Sequence, residues 1–127
     1  MEVKNIGATY LTFLEAGEVD NILSLFSDSG IVVSPLYGSK PASQFYRELQ
    51  ADTEKSTIIR NGLFLEEQHN RIALFFTYEW TLISGKVSTF DVVDILEFDA
   101  HNKIEKLTII YDTIVTRRLK EGLDQNQ

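Results

Sequence analysis

The order of periodicities along the chain predicts an α+β fold. Helices come first, then a run of long antiparallel strands, with the helices packed on one face of a curved sheet. Three observations carry this. Val3, Ile6, Tyr10, Phe13 and Leu14 recur at helical spacing through residues 3–16. Through residues 71–83, Ile72, Leu74, Phe76, Tyr78, Trp80 and Leu82 alternate with Ala73, Phe75, Thr77, Glu79 and Thr81, the period of a strand. Turn signals at Ser84-Gly85 and at Asp99-Ala100-His101-Asn102 then join that stretch to two more strands.

The first helix stops at Gly17, the residue type that accepts a left-handed cap, and Gly7 is a mild weakness within it. Val19, Ile22, Leu23 and Phe26 mark a second short helix, ended by Ser27-Asp28-Ser29-Gly30. Ile31-Val32-Val33 is β-branched and predicts a short strand, closed by Ser34-Pro35. Residues 35–41 are expected as loop. Pro41 suits the first turn of a third helix, with Ser39 as its cap and Ala42, Phe45, Tyr46 and Leu49 facing in.

A long strand is expected over residues 56–67, with Gly62 as a bulge, and Gln68-His69-Asn70 as the following turn. The strand at 71–83 returns as 86–98, and 103–113 is the last strand. Val115, Leu119 and Leu123 are spaced for one further helix, with residues 122–127 loose. No repeat, linker or low-complexity stretch divides the chain, so residues 1–127 are expected as a single domain, with 114–127 a helical or disordered extension.

Composition narrows the function. The chain of 127 residues carries a formal net charge of -7, which argues against nucleic acid or an anionic membrane as partner. It contains no cysteine, which excludes thiolate chemistry and fits a cytoplasmic protein. No apolar run approaches the roughly 18 residues of a membrane-spanning helix, and the first residues lack a signal-peptide pattern. His69 and His101 sit in separate turns without neighbouring ligands, and no Gly-rich phosphate loop is present. No metal or cofactor is expected.

One residue breaks the pattern of its strand. Phe90, Val92, Asp94, Leu96 and Phe98 share a face, four apolar side chains and one acid. A carboxylate on such a face is costly unless it is paired, neutral or functional. Asp94 either faces a pocket as a neutral acid, or reaches water or a neighbouring Lys or Arg.

The helix ending Tyr10-Leu11-Thr12-Phe13-Leu14-Glu15-Ala16-Gly17-Glu18 is one part of a longer likeness. The run Ile22-Leu23-Ser24-Leu25-Phe26-Ser27-Asp28-Ser29, the strand meeting Ser34-Pro35, and Val93-Asp94-Ile95-Leu96-Glu97-Phe98 follow it in order. Lys103-Ile104 through Tyr111-Asp112 closes the series. This order and spacing resembles the nuclear-transport-factor-2-like superfamily, whose members include ketosteroid isomerases, SnoaL-like polyketide cyclases, scytalone dehydratases and limonene epoxide hydrolases. The resemblance implies a cone: a curved antiparallel sheet with three helices from the N-terminal half on its concave face, enclosing a pocket. From the isomerases it implies a tyrosine at Tyr10 and a protonated aspartic acid at Asp94, both donating to the oxygen of a dienolate. It places the general base at Ser34, just before Pro35, and serine has no usable basicity near neutral pH.

The ordinary alternatives stand beside these roles. Tyr10 is also what a core tyrosine on a helix stripe looks like, and Ser34 what a turn residue before proline looks like. Phe76, Tyr78, Trp80, Phe90, Val92 and Tyr111 either line a cavity with Ser34 or pack the core. Tyr37 and Phe45 are expected at its mouth. Glu79 and Asp91 fall on the outer face and Asp112 points away from the pocket side, so no replacement base is identified. Three readings follow: an isomerase, dehydratase or cyclase acting on a small apolar molecule, a binding module without chemistry, or a dimerisation module. Ala73, Phe75, Val93 and Ile95 make the outer face partly apolar. A sheet covered on one side should be polar on the other. With the sheet-to-sheet dimers common in the superfamily, this predicts a homodimer through that face.

Overall fold

The computed structural model describes residues 2–67 and 70–125. The expected turn at Gln68 and His69, the terminal Asn126 and Gln127, and the Val115 side chain lie outside the described residues. The chain runs α1 (Val3–Ala16), α2 (Val19–Ser24), β1 (Phe26–Ser34), β2 (Gly38–Pro41) and α3 (Ala42–Asp52). It continues with β3 (Thr53–Leu65), β4 (Arg71–Leu82), β5 (Val87–Phe98), β6 (Ile104–Ile110) and α4 (Ile114–Gln125). All six strands form one curved, unclosed sheet in the order β2-β1-β6-β5-β4-β3.

Helix α1 ends where its sequence says it should. Gly17 takes φ 69°, and the N–H groups of Gly17 and Glu18 close on the carbonyls of Leu14 and Phe13. Gly7, a weak point by helix propensity, is explained by packing. A Cβ there would lie 2.5 Å from Ile72 Cδ1, so glycine lets α1 approach β4.

Several boundaries differ from the sequence expectation. Phe26 lies on β1, opposite Ile104 of β6, and not on α2. Its ring packs 5.7 Å from that of Tyr46, so the spacing that mimics a helix is core contact made from a strand. Residues Ser27 to Gly30 do not end a helix; they continue β1 through a register shift between Phe26 and Ile31. Residues 38–41 are not loop: Gly38–Pro41 pairs antiparallel with β1, and Pro41 is tolerated because this is the sheet's edge. Ser39 therefore sits in a strand and does not cap α3, which starts after Pro41 with no side-chain cap. The run of antiparallel strands is interrupted, since β1 pairs with β6 in parallel. Strand β3 begins earlier than expected, at Thr53, and its register shift between Arg60 and Gly62 is the bulge expected at Gly62. Strand β6 is shorter than expected, and α4 carries on past Gly122 to Gln125 with Leu123 buried.

The alternating stripe of β4 faces inward as its period requires. Ile72, Leu74, Phe76, Tyr78, Trp80 and Leu82 are all buried. Asp94 sits in β5 between Leu74 of β4 and Ile109 of β6, well inside the sheet. Helices α1, α2 and α3 supply the other wall, through Ile6, Tyr10, Leu14, Ile22, Phe45 and Tyr46.

Candidate functional site

Between helices and sheet lies an apolar cavity of about 50 Å³. The residues expected from the sequence as polarising or wall residues all line it: Tyr10, Ser34, Phe76, Tyr78, Trp80, Phe90, Val92, Asp94 and Tyr111. Tyr37 and Phe45 line it too. Leu14, Leu36, Leu49 and Ile109 complete the wall and were not anticipated as lining residues. Among the described residues around the cavity, Asp94 is the one carboxyl group, and no histidine, lysine or arginine joins it.

Asp94 is 2% exposed, and its Oδ1 has no hydrogen-bond partner. No ion pair to it occurs among the described residues. Burial alone pushes its carboxyl well above the usual range. The alternative of a water-exposed or salt-bridged acid does not describe this side chain. A buried acid in this state favours the neutral form, and a neutral carboxyl is a hydrogen-bond donor.

Tyr10 projects from the inner stripe of α1 and is 1% exposed. Its hydroxyl meets that of Tyr46 at 2.7 Å, either one donating. Burial holds the Tyr10 proton on most strongly, with Tyr46 and then Asp94 adding to the shift. Tyr46 is raised likewise, first by burial. In such a pair one hydroxyl donates and the other keeps its own proton for a further acceptor. Tyr46 was expected only as a core residue of α3; its spacing beside Phe45 and Leu49 carries no polar signal that would separate it from packing.

The aromatic wall is held from outside the cavity. Trp80 Nε1 donates to Thr53 Oγ1 at 2.7 Å, and the Tyr78 and Ser56 hydroxyls meet at 2.6 Å. Burial pushes the Tyr78 hydroxyl up to about 12, against the lowering effect of its Ser56 hydrogen bond. The ring of Phe90 contacts Tyr78 at 5.7 Å and stacks on Tyr111 at 4.7 Å. These contacts fix the rings without using donors inside the cavity.

Ser34 occupies the wall as a turn residue. Its Oγ accepts from the backbone N–H groups of Leu36 and Tyr37, at 3.2 and 3.3 Å. The other acids considered as bases lie elsewhere. Glu79 and Asp91 are exposed, and exposed Asp112 accepts the N–H of Ile114. At the mouth, Tyr37 donates to Asp52 Oδ2 at 2.6 Å, and Lys120 Nζ lies 3.0 Å from the same oxygen. Among the described residues, no group of three or more His, Cys, Asp or Glu side chains could hold a metal ion. No helix among them is long and apolar enough to cross a membrane.

No family model matches the sequence. Solved structures do match. A nuclear-transport-factor-2-like protein of unknown function from Exiguobacterium sp. 255-15 superposes with TM-score 0.71 at 23% identity, over 84% of this chain and 98% of that one. The epoxide hydrolase/cyclase-like enzyme SalBIII, of pyran ring formation in the polyether salinomycin, gives TM-score 0.73 at 19% identity over 87% and 90%. TerC, co-crystallised with polyporic acid, gives 0.78 at 18% over 94% and 98%. At these identities the likeness concerns the backbone alone: the chain has the nuclear-transport-factor-2-like fold.

Proposed function

We propose that the cavity takes a small apolar molecule bearing a carbonyl or hydroxyl oxygen, and that Tyr10 and Asp94 polarise that oxygen. The observation that carries this reading is the Asp94 carboxyl: buried, unpaired at Oδ1 and raised by burial alone, in a cavity that Tyr10 also lines. Two neutral donors aimed at one oxygen stabilise negative charge developing there, in a setting where water does not screen them. An isomerase, dehydratase or cyclase needs that step, and it requires no cofactor. The fold is shared with an epoxide hydrolase/cyclase-like enzyme and with a protein co-crystallised with polyporic acid, which supports a small-molecule ligand. The remaining wall residues, Phe76, Tyr78, Trp80, Phe90, Val92 and Tyr111, supply shape and apolar contact.

A second reading, binding without chemistry, is favoured by one specific observation. Ser34, where the resemblance puts the base, has its Oγ occupied by two backbone N–H groups, and no second carboxyl among the described residues lines the cavity. One pair of substitutions separates the two readings. Tyr10→Phe and Asp94→Leu should each weaken binding of small cyclic ketones or phenols by about tenfold, the worth of one hydrogen bond in a buried site. Turnover of any such compound by the wild type, lost in both variants, supports the enzyme. Binding unaffected by either substitution would sink the site.

The dimer belongs to the same reading. Ile59 and Phe64 of β3 and Ile110 of β6 are 61%, 60% and 54% exposed on the outer face. Phe75, Val93 and Ile95 lie on that face and are half-buried. Such a patch is better covered than wet, and a second copy would cover it. A monomeric mass by light scattering at micromolar concentration would rule this out. A cytoplasmic setting fits the absence of cysteine.

A further inference from the structure

At about 50 Å³ the cavity is well short of the roughly 300–1,000 Å³ of ordinary ligand sites, so a molecule can occupy it only if a wall moves. Two open clefts adjoin it. One, of about 400 Å³, is separated from it by Leu14 and Leu49. Both sit within helices, so moving them means moving α1 or α3. The other, of about 450 Å³, is lined by Lys40, Glu48, Ala51, Asp52, Lys120 and Asp124, and only Leu36 and Tyr37 are shared with the cavity.

That second partition is built differently. Leu36 and Tyr37 lie in the turn between β1 and the four-residue edge strand β2, and Gly38 beside them takes φ 80°. Turns at a sheet edge open locally at far lower free energy than core helices. Yet Tyr37 is tied down. Its hydroxyl donates to Asp52 at 2.6 Å, its ring packs edge-on against Phe45 at 5.5 Å, and Lys120 lies 5.3 Å from the ring centre. Asp52 is only 5% exposed at the C-terminal end of α3, an unfavourable place for a negative charge. Lys120, reaching from α4, neutralises it at 3.0 Å. The three side chains come from three separate elements and meet nowhere else.

We infer that Tyr37 is the door between the charged cleft and the apolar cavity, held shut by Asp52 and Lys120, and that these residues set which molecules reach Tyr10 and Asp94. When the door swings out, cavity and cleft become one space. A neutral apolar molecule passes beneath the ring, whereas an ion would have to carry its charge into an apolar space to follow. The inference rests on the cavity as the ligand site but not on any chemistry within it. A test of access can therefore fail while the polarising pair survives, and the reverse.

Trp80 is the chain's one tryptophan, 2% exposed in the cavity wall, and so reports access directly. Acrylamide, small and neutral, and iodide, charged, serve as probes by quenching its fluorescence. The quenching constant for acrylamide should rise several-fold, up to about tenfold, in Tyr37→Phe and in Lys120→Met, since a hydrogen bond to a charged group is lost or its charge partner removed. Lys120→Arg should restore the wild-type value, and iodide should gain less than acrylamide. Quenching unchanged in both variants, each shown folded by circular dichroism, overturns the door. If a variant does not fold, amide exchange in the wild type decides. The Tyr37 and Gly38 amides must exchange faster than those of Leu14 and Leu49, and the opposite order overturns the proposal.

Discussion

Two aspartates in this protein are almost equally buried, Asp94 at 2% and Asp52 at 5%, and they are handled in opposite ways. Asp52 sits at the mouth with a lysine and a tyrosine hydroxyl on one oxygen, so its negative charge is matched. Asp94 sits in the middle of the sheet with apolar neighbours, Tyr10 and Tyr78 close by, and no cation. What differs between these two buried acids is their partners. A paired acid serves as a structural clamp, whereas burial pushes an unpaired one toward its neutral form.

The largest expected effect lies at the clamp. Replacing Asp52 by Leu takes from Lys120 its buried partner and from the Tyr37 hydroxyl its acceptor, leaving Lys120 with Asp124 and the nearby Glu48, and should cost about 3 kcal/mol in urea unfolding. Asp94→Leu, compared near pH 3 where the carboxyl is neutral in both states, should leave stability unchanged or raise it by about 1 kcal/mol, because it removes an unsatisfied polar group; the gain should grow as pH rises. Equal losses in the two variants would erase the contrast.

The next effect is a pH dependence with a definite sign. Asp94 is held above its ordinary value by burial, so as pH rises the unfolded chain loses this proton before the folded chain does. The stability linked to Asp94 is fully present below the usual carboxylate range. It falls by about 1.4 kcal/mol per pH unit above that range, until the folded carboxyl itself ionises. Asp94→Asn removes this dependence, so the stability difference between variant and wild type should widen from pH 5 to pH 7. A constant difference would mean that Asp94 is ionised in both states.

Smaller effects distinguish the two tyrosines. Tyr10→Phe should cost about 1–2 kcal/mol, since it strands the buried Tyr46 hydroxyl. Tyr46→Phe should cost about 1 kcal/mol and leave the Tyr10 donor available. Ligand binding should therefore suffer more from the first than from the second. The reverse order would make Tyr46 the group that touches ligand.

How much of this was legible beforehand depends on the range of the interaction. The inner stripe of β4 and the isolation of Asp94 follow from a period of two residues, so the sequence displays them directly. Resemblance to a known fold then set Tyr10 beside Asp94 as an expectation that no local pattern reveals, and both line the cavity. Phe26 was misplaced because an apolar residue four positions after Ile22 fits a helix as well as it fits a strand facing Tyr46. Strand β2 was missed because Gly38, Ser39, Lys40 and Pro41 are turn-type residues, and an edge strand borrows its order from β1. The parallel pairing of β1 with β6, and the meeting of Tyr37, Asp52 and Lys120, depend on the closed fold and leave no local trace. Ser34 was legible as a departure, and its hydrogen bonds explain why it serves the turn.

The central claim is that Asp94 is a neutral acid in the folded protein at neutral pH. Carbon NMR of the aspartate carboxyls, assigned through Asp94→Asn, reads this directly. The Asp94 resonance should remain that of a protonated acid at pH 7 while the exposed aspartates titrate in the ordinary range. A midpoint near 4 for Asp94 would contradict the account, since an ionised carboxylate has no proton to donate.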